Sequence, residues 1–198
     1  PRLEARPVAD PQVQAARGGM RNRIHSMALL HQTLYRSGRF SEVALDHYLR
    51  EVAANVARGF AADAHAVEVK TDLHEVHLNI DQAIPCGLIV NELVTNSLKH
   101  GFPAGRPGTV SVSLDQSADR EVRVRVWDTG IGLPADLLSR SEERMGLQLV
   151  SDLAHQIQGE LHLLEGVGAG FEIRFKAAPC RDIPEPGLAP GPASVPAQ

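Results

Sequence analysis

The chain has 198 residues, with 20 Lys and Arg against 24 Asp and Glu and a formal net charge of −4, which excludes a strongly basic protein that coats DNA or RNA. Apolar residues make up 43% and charged residues 22%, the balance of an ordinary globular protein, and no apolar run reaches the ~18 residues of a membrane-spanning helix. Two cysteines, Cys86 and Cys180, have neither CxxC nor metal-ligand spacing, and the nine histidines are scattered without an HExxH, so neither a disulfide scaffold nor a zinc site is expected.

The chain begins with Pro1 and has no signal-peptide pattern, so it is read as a fragment with an upstream domain missing. Residues 1–17 and 177–198 hold nine of the 13 prolines and few large apolar side chains; both are expected to be disordered, because they cannot bury enough surface to offset the entropy of ordering. Gly19–Ser37 is expected as a helix, with Met20, Ile24, Met27, His31 and Leu34 on a heptad seam and Gly38 as its C-cap. Leu45–Phe60 is a second amphipathic helix, with Tyr48, Leu49, Val52 and Val56 on one face. Val67–Leu73 and Val76–Ile80 alternate as strands. Asp81 is expected to cap a helix running to His100, with Pro85 in its first turn. Thr109–Leu114 and Glu121–Trp127 alternate strictly and read as neighbouring antiparallel strands. Thr129–Glu143 reads as a loop, Gly146–Gln158 as a helix, and Leu161–Leu164 and Phe171–Phe175 as closing strands. The expected class is α+β: a two-layer α/β sandwich, one antiparallel-rich sheet with helices on one face, preceded by a helical segment.

Four short stretches carry chemistry. On the helix Asp81–His100, Glu92, Asn96, Lys99 and His100 recur at i, i+4, i+7 and i+8 and share an arc of roughly 100°. Such a face is ordinarily a solvated one. An asparagine in mid-helix has poor propensity, however, and an acid, an amide and two nitrogen groups suit a metal-bound polyphosphate. Next, Asp128-Thr129-Gly130-Ile131-Gly132 ends a strand; by itself DxGxG is a plain turn. Arg144-Met145-Gly146-Leu147 opens the next expected helix, where free N–H groups attract anions, although most such helices bind none. Gly166–Gly170 by itself reads as a hairpin turn.

Together the stretches are specific where each alone is not. NELVTNSLKHGF, DTGIG, MGLQLV and GVGAGF occur in this order, on these elements. The pattern resembles the ATP-binding catalytic domain of sensor histidine kinases, the Bergerat or GHKL fold shared with gyrase, Hsp90 and MutL. The resemblance covers residues 39–176. Upstream, RNRIHSMALLHQTLY resembles the second helix of the dimerisation module in one histidine-kinase subfamily, the second HisKA type, in which a NELVTNAxKHxF-type box is usual; residues 18–38 are therefore read as a partial dimerisation helix.

The resemblance implies a set of roles. Asn96 matches a Mg²⁺ ligand, and Glu92 the acid that positions or polarises the attacking group. Lys99 and His100 match positions near the phosphates or ribose, Asp128 the acceptor for the adenine amino group, and Gly130 and Gly132 the turn under the nucleotide. Leu133–Met145 would form a lid from which Arg140 or Arg144 reaches the γ-phosphate, and Gly146, followed by Leu147, matches the phosphate-facing helix start. Arg144 stands where a glycine is usual. The cofactors implied are ATP and Mg²⁺; the partners are a response regulator and a second copy of the chain, in the cytoplasm, with no nucleic acid and no membrane contact in this fragment. The reactive histidine of the subfamily lies in an HHRVKNN-like box. Nothing in Pro1–Arg17 resembles it, and His25 and His31 read as packing positions, so the chain is expected to lack its own acceptor. A serine kinase of the anti-sigma-factor type and a non-catalytic ATP-binding signalling module are the competing expectations.

Overall fold

The computed structural model describes residues 42–60, 66–133 and 141–179, of which 141–145 by backbone alone. The expected helix Gly19–Ser37, Arg140, and most of both proline-rich ends lie outside the described residues. In chain order the elements are β1 (Val43–Ala44), α1 (Leu45–Phe60), β2 (Val67–Leu73), β3 (His77–Leu78), α2 (Ile80–Asn96), β4 (Gly108–Gln116), β5 (Glu121–Asp128), α3 (Ser141–Gln156), β6 (Glu160–Leu163) and β7 (Gly170–Lys176). No helix among the described residues is long and apolar enough to cross a membrane.

Five strands form one sheet in the order β2-β4-β5-β7-β6, and β1 pairs with β3 in a separate two-stranded ribbon. Within the large sheet β2 and β4 are parallel and every other pair is antiparallel. Period-two alternation sends one face of each strand inward: Val110, Val112 and Leu114 from β4, Val122, Val124 and Val126 from β5, and Ile173 and Phe175 from β7 are all buried. The helices supply the other half of that core through Leu45, Leu49, Val52 and Val56 of α1, Ile89, Leu93 and Val94 of α2, and Val150 and Ala154 of α3. The result is the α+β two-layer sandwich. Polar side chains occupy the far face, where Asp115 pairs with Arg123 at 2.9 Å and Glu172 is held between Arg125 and Arg174.

Three local expectations change. The cap of α2 is Asn79, not Asp81: Asn79 is extended (φ −68, ψ 163) and its side-chain oxygen accepts from the Gln82 N–H at 2.9 Å, while Asp81 lies in the first turn facing the positive end of the helix dipole. Starting the helix at Ile80 moves Pro85 from the first turn into the second. The segment Val76–Ile80 contributes only two strand residues, which pair with β1, because α2 takes over at Ile80. Finally, α3 begins at Ser141 rather than Gly146.

Two contacts lock α2 in place. Gln82 is buried; its amide donates to the Lys176 carbonyl (2.8 Å) and accepts from the Ala178 N–H (2.9 Å), tying the helix start to the end of β7 and carrying the folded body past Lys176. Gly87 lets Tyr48 of α1 approach closely: a Cβ there would sit 2.3 Å from the tyrosine ring. Burial in this contact, helped by the neighbouring thiol, pushes the Tyr48 phenol well above its ordinary range, and burial alone pushes Cys86 up to about 12.

Candidate functional site

Asp128 is placed by strand register. It continues the inward series Val122, Val124, Val126, so its carboxylate enters the layer between sheet and helices instead of solvent, and it is 5% exposed. A buried carboxylate needs donors, and three meet it. The Gly130 N–H (2.9 Å) and the Ala169 N–H (3.2 Å) both donate to Oδ1, and the Ser97 hydroxyl donates to Oδ2 at 2.7 Å. Its own N–H donates to the Ala169 carbonyl at 2.9 Å. Glycine is required beside it at two positions. A Cβ on Gly130 would lie 2.4 Å from the Gly101 carbonyl oxygen, and one on Gly168 would lie 2.1 Å from that of Asp128.

Helix α2 supplies the facing wall. Past Asn96 it widens without a break into a π turn, Ser97–Gly101, with the Ser97 N–H directed at both the Leu93 and the Val94 carbonyls. Glu92 is buried and Asn96 half-buried, and both face Gly146 of α3: a Cβ built there would be 3.4 Å from the Asn96 amide nitrogen and 3.6 Å from Glu92 Oε2. A methyl at 146 would sit in ordinary van der Waals contact with this pair.

These walls line a cleft that is open to solvent. Asn96, Ser97, His100 and Asp128 line it alongside Gly132 and the apolar Leu93, Leu133, Leu147 and Phe171. Of the residues expected from sequence, Glu92, Asn96, His100, Asp128, Gly130, Gly132, Gly146 and Leu147 are thus gathered at or against one cavity. Lys99 is exposed and does not line it. The π turn, with its i→i+5 spacing, breaks the 100° step that had put Lys99 on the same face as Asn96. The backbone of Arg144 belongs to α3, and its side chain lies outside the described residues. Gly146 stands in the second turn of α3, so the N–H groups left free at that helix start belong to Ser141 and its neighbours.

Sequence reasoning missed Ser97 and Ala169. Ser97 carries no periodic signal, and Ala169 acts through its backbone, which the sequence does not distinguish.

The cleft can hold a flat heterocycle with an amino group at one end. Asp128 offers a hydrogen-bond acceptor, Leu93, Leu133, Leu147 and Phe171 offer apolar surface to a ring, and Asn96 and His100 add polar groups. The described residues hold no group of three or more His, Cys, Asp or Glu side chains able to bind a metal by themselves. A single amide oxygen from Asn96 is the donor set expected where Mg²⁺ is carried in chiefly by phosphate oxygens and water.

Comparison with known proteins gives the family. Residues 81–179 match the sequence model of the family described as histidine kinase-, DNA gyrase B-, and HSP90-like ATPase, and residues 2–60 match a second model described as histidine kinase. The chain therefore belongs to the histidine kinase-, DNA gyrase B-, and HSP90-like ATPase family, in its sensor histidine kinase branch. Among curated relatives, blue-light-activated histidine kinase 2 of Erythrobacter litoralis is 27% identical over 157 residues, covering 77% of this chain and 44% of the relative. Sensor histidine kinase PdtaS of Mycobacterium tuberculosis is 28% identical over 178 residues, covering 87% and 34%. The chain spans less than half the length of either. The solved histidine kinase domain of a blue-light-activated histidine kinase from Erythrobacter litoralis superimposes with a TM-score of 0.72 at 25% identity, over 80% of this chain and 75% of that one.

Proposed function

We propose that the chain is the ATP-binding catalytic core of a two-component sensor histidine kinase, which transfers the γ-phosphoryl group of Mg·ATP to a histidine for relay to an aspartate of a response regulator. The observation that carries this reading is the buried Asp128 acceptor at one end of a cleft whose facing wall holds Glu92 and Asn96.

Each residue has a task in that reaction. Asp128 accepts from the adenine amino group, above the Gly130–Gly132 turn. Leu93, Leu147 and Phe171 cover the ring and exclude water. Asn96 would hold Mg²⁺, which supplies charge neutralisation on the phosphates when bound. His100 at the cleft wall donates toward phosphate or ribose oxygens. Glu92 lies beside Asn96 and orients the incoming imidazole by accepting its N–H, leaving the other ring nitrogen free to attack. That nitrogen forms a bond to the γ-phosphorus as the bond to the β-phosphate bridging oxygen breaks, and ADP leaves. Such transfers depend mainly on positioning and charge stabilisation, which this wall provides.

The match of residues 2–60 to a histidine-kinase model supports a homodimer formed through residues 18–38, and favours this reading over an anti-sigma-type serine kinase, which has no use for such a segment. In this reading none of the chain's own histidines is the acceptor, because no HHRVKNN-like box surrounds any of them. A need for ATP supports a cytoplasmic location for the core.

Thermal denaturation with millimolar Mg·ATP is the first test: saturation well above Kd should raise Tm by several degrees, and an unchanged Tm rejects the reading. Asn96→Ala should remove the Mg²⁺-dependent part of nucleotide affinity, a loss of tenfold or more by calorimetry, while Tm without ligand stays put. With labelled ATP alone the chain should acquire no acid-labile phosphate; label on His25 or His31 would overturn the placement of the acceptor.

A further inference from the structure

We propose that Ser97 is the positioning residue that sets the base preference of the cleft: its hydroxyl fixes the Asp128 carboxylate so that Oδ2 presents an acceptor to an exocyclic amino group, selecting 6-aminopurine over 6-oxopurine nucleotides. This rests on the nucleotide reading above and goes beyond it to the origin of the discrimination.

The argument is a count of acceptor sites. An ionised carboxylate offers about four lone-pair directions. Both of the main-chain donors, Gly130 N–H and Ala169 N–H, fall on Oδ1 and fill it. Among the described residues Ser97 reaches Oδ2, at 2.7 Å, and occupies one of its two directions. The direction that remains belongs to Oδ2, and both Asp128 and Ser97 line the cleft. A ligand therefore meets an acceptor whose aim is set by one hydroxyl. A 6-amino group donates to it; a 6-oxo group turns a lone pair toward a buried negative charge.

Ser97 is built for this contact. A serine on a helix ordinarily returns its hydroxyl to the carbonyl three or four residues back. Here the hydroxyl leaves its own helix for a carboxylate 31 positions away, and does so where the helix has widened into the π turn. The residue is 9% exposed, so water is a poor substitute donor. Without the hydroxyl, Oδ1 stays anchored by the backbone while Oδ2 loses the Ser97 donor and its aim.

Calorimetry on the full chain with Mg·ATP and Mg·ITP tests this. The wild type should prefer ATP. Ser97→Ala should weaken ATP by roughly tenfold, the cost of a charge-assisted hydrogen bond and a mis-aimed acceptor, and weaken ITP by less than about threefold. The preference then narrows, a change that general damage to the cleft would not produce. Ser97→Thr keeps the hydroxyl and should restore the preference. Should Ser97→Ala not fold, Ser97→Cys keeps the volume with a poor donor and carries the same expectation. A variant that keeps the wild-type ATP-to-ITP ratio, or weakens both nucleotides equally, overturns the role of Ser97 and leaves the nucleotide reading standing. A wild type that binds neither nucleotide overturns both.

Discussion

Asp128 is a charge kept inside the molecule by donors from three separate segments: the π turn, the strand end and the loop before β7. Its inward direction is legible in the sequence, because valines at 122, 124 and 126 fix the parity of the strand. Its donors are not legible, since each comes from the meeting of segments. Gly130→Ala tests how tightly that meeting is packed. The added Cβ would fall 2.4 Å from the Gly101 carbonyl oxygen, and backbone cannot yield as a side-chain tip can. The expected cost is about 1–3 kcal/mol in chemical denaturation, with weaker ATP binding because the Gly130 N–H shifts away from Oδ1. On the opposite face of the sheet, Glu172 is 2% exposed. Burial alone would raise its pKa, but hydrogen bonds and charge from Arg125 and Arg174 outweigh burial and hold it below the ordinary carboxylate range. A pKa lowered on folding adds stability that is complete above the unfolded-state value and fades as pH falls through the folded one. Below about pH 4, then, the wild type should lose stability more steeply than Glu172→Gln, as measured by denaturant midpoints across the acid range.

At the scale of elements, the strands were the easiest to read. β2, β4, β5 and β7 fall within a residue or two of the alternation that announces them. Helix ends were harder. Asn79 and Asp81 are both good capping residues, and only the extended backbone at Asn79 decides between them. Ser141-Glu142-Glu143 is a favourable helix opening through its polar and acidic side chains, yet it has no apolar periodicity, so it reads as loop. The π turn has no sequence signature at all, and it is what separates Lys99 from Asn96 and His100. The α1–α2 contact makes a prediction that belongs to this scale. Gly87→Ala places a methyl 2.3 Å from the Tyr48 ring and should destabilise the chain by about 1–3 kcal/mol, read as a lowered Tm. In the same contact Cys86 is buried and its thiol is pushed up to about 12, so in a Cys180→Ser background a thiol reagent at pH 8 should label it only on unfolding.

Over the described residues, one core joins the two layers and runs in sequence from Val43 to Ala177. A fragment of residues 42–179 contains every residue of that core and every described cleft residue. It should melt cooperatively within a few degrees of the full chain and bind Mg·ATP with unchanged affinity by calorimetry. If residues 18–38 make the dimer, the same fragment should be monomeric by light scattering while the full chain is not.

What the sequence determined by itself was local and periodic: which segments alternate, which faces are apolar, and the order of four short motifs that name the family. Strand order was decided by tertiary structure. β2 lies parallel to β4 across an intervening helix, and backbone hydrogen bonds, which pair any strand with any other, leave no mark of that choice on side chains. The site divides in the same way. Glu92, Asn96 and Asp128 could be found from spacing and parity, because a helix face and a strand face are fixed by local geometry. That Ser97 and the backbone of Ala169 complete it was settled only when residues 31 and 41 positions from Asp128 came to its carboxylate, a contact that packing makes and periodicity does not encode.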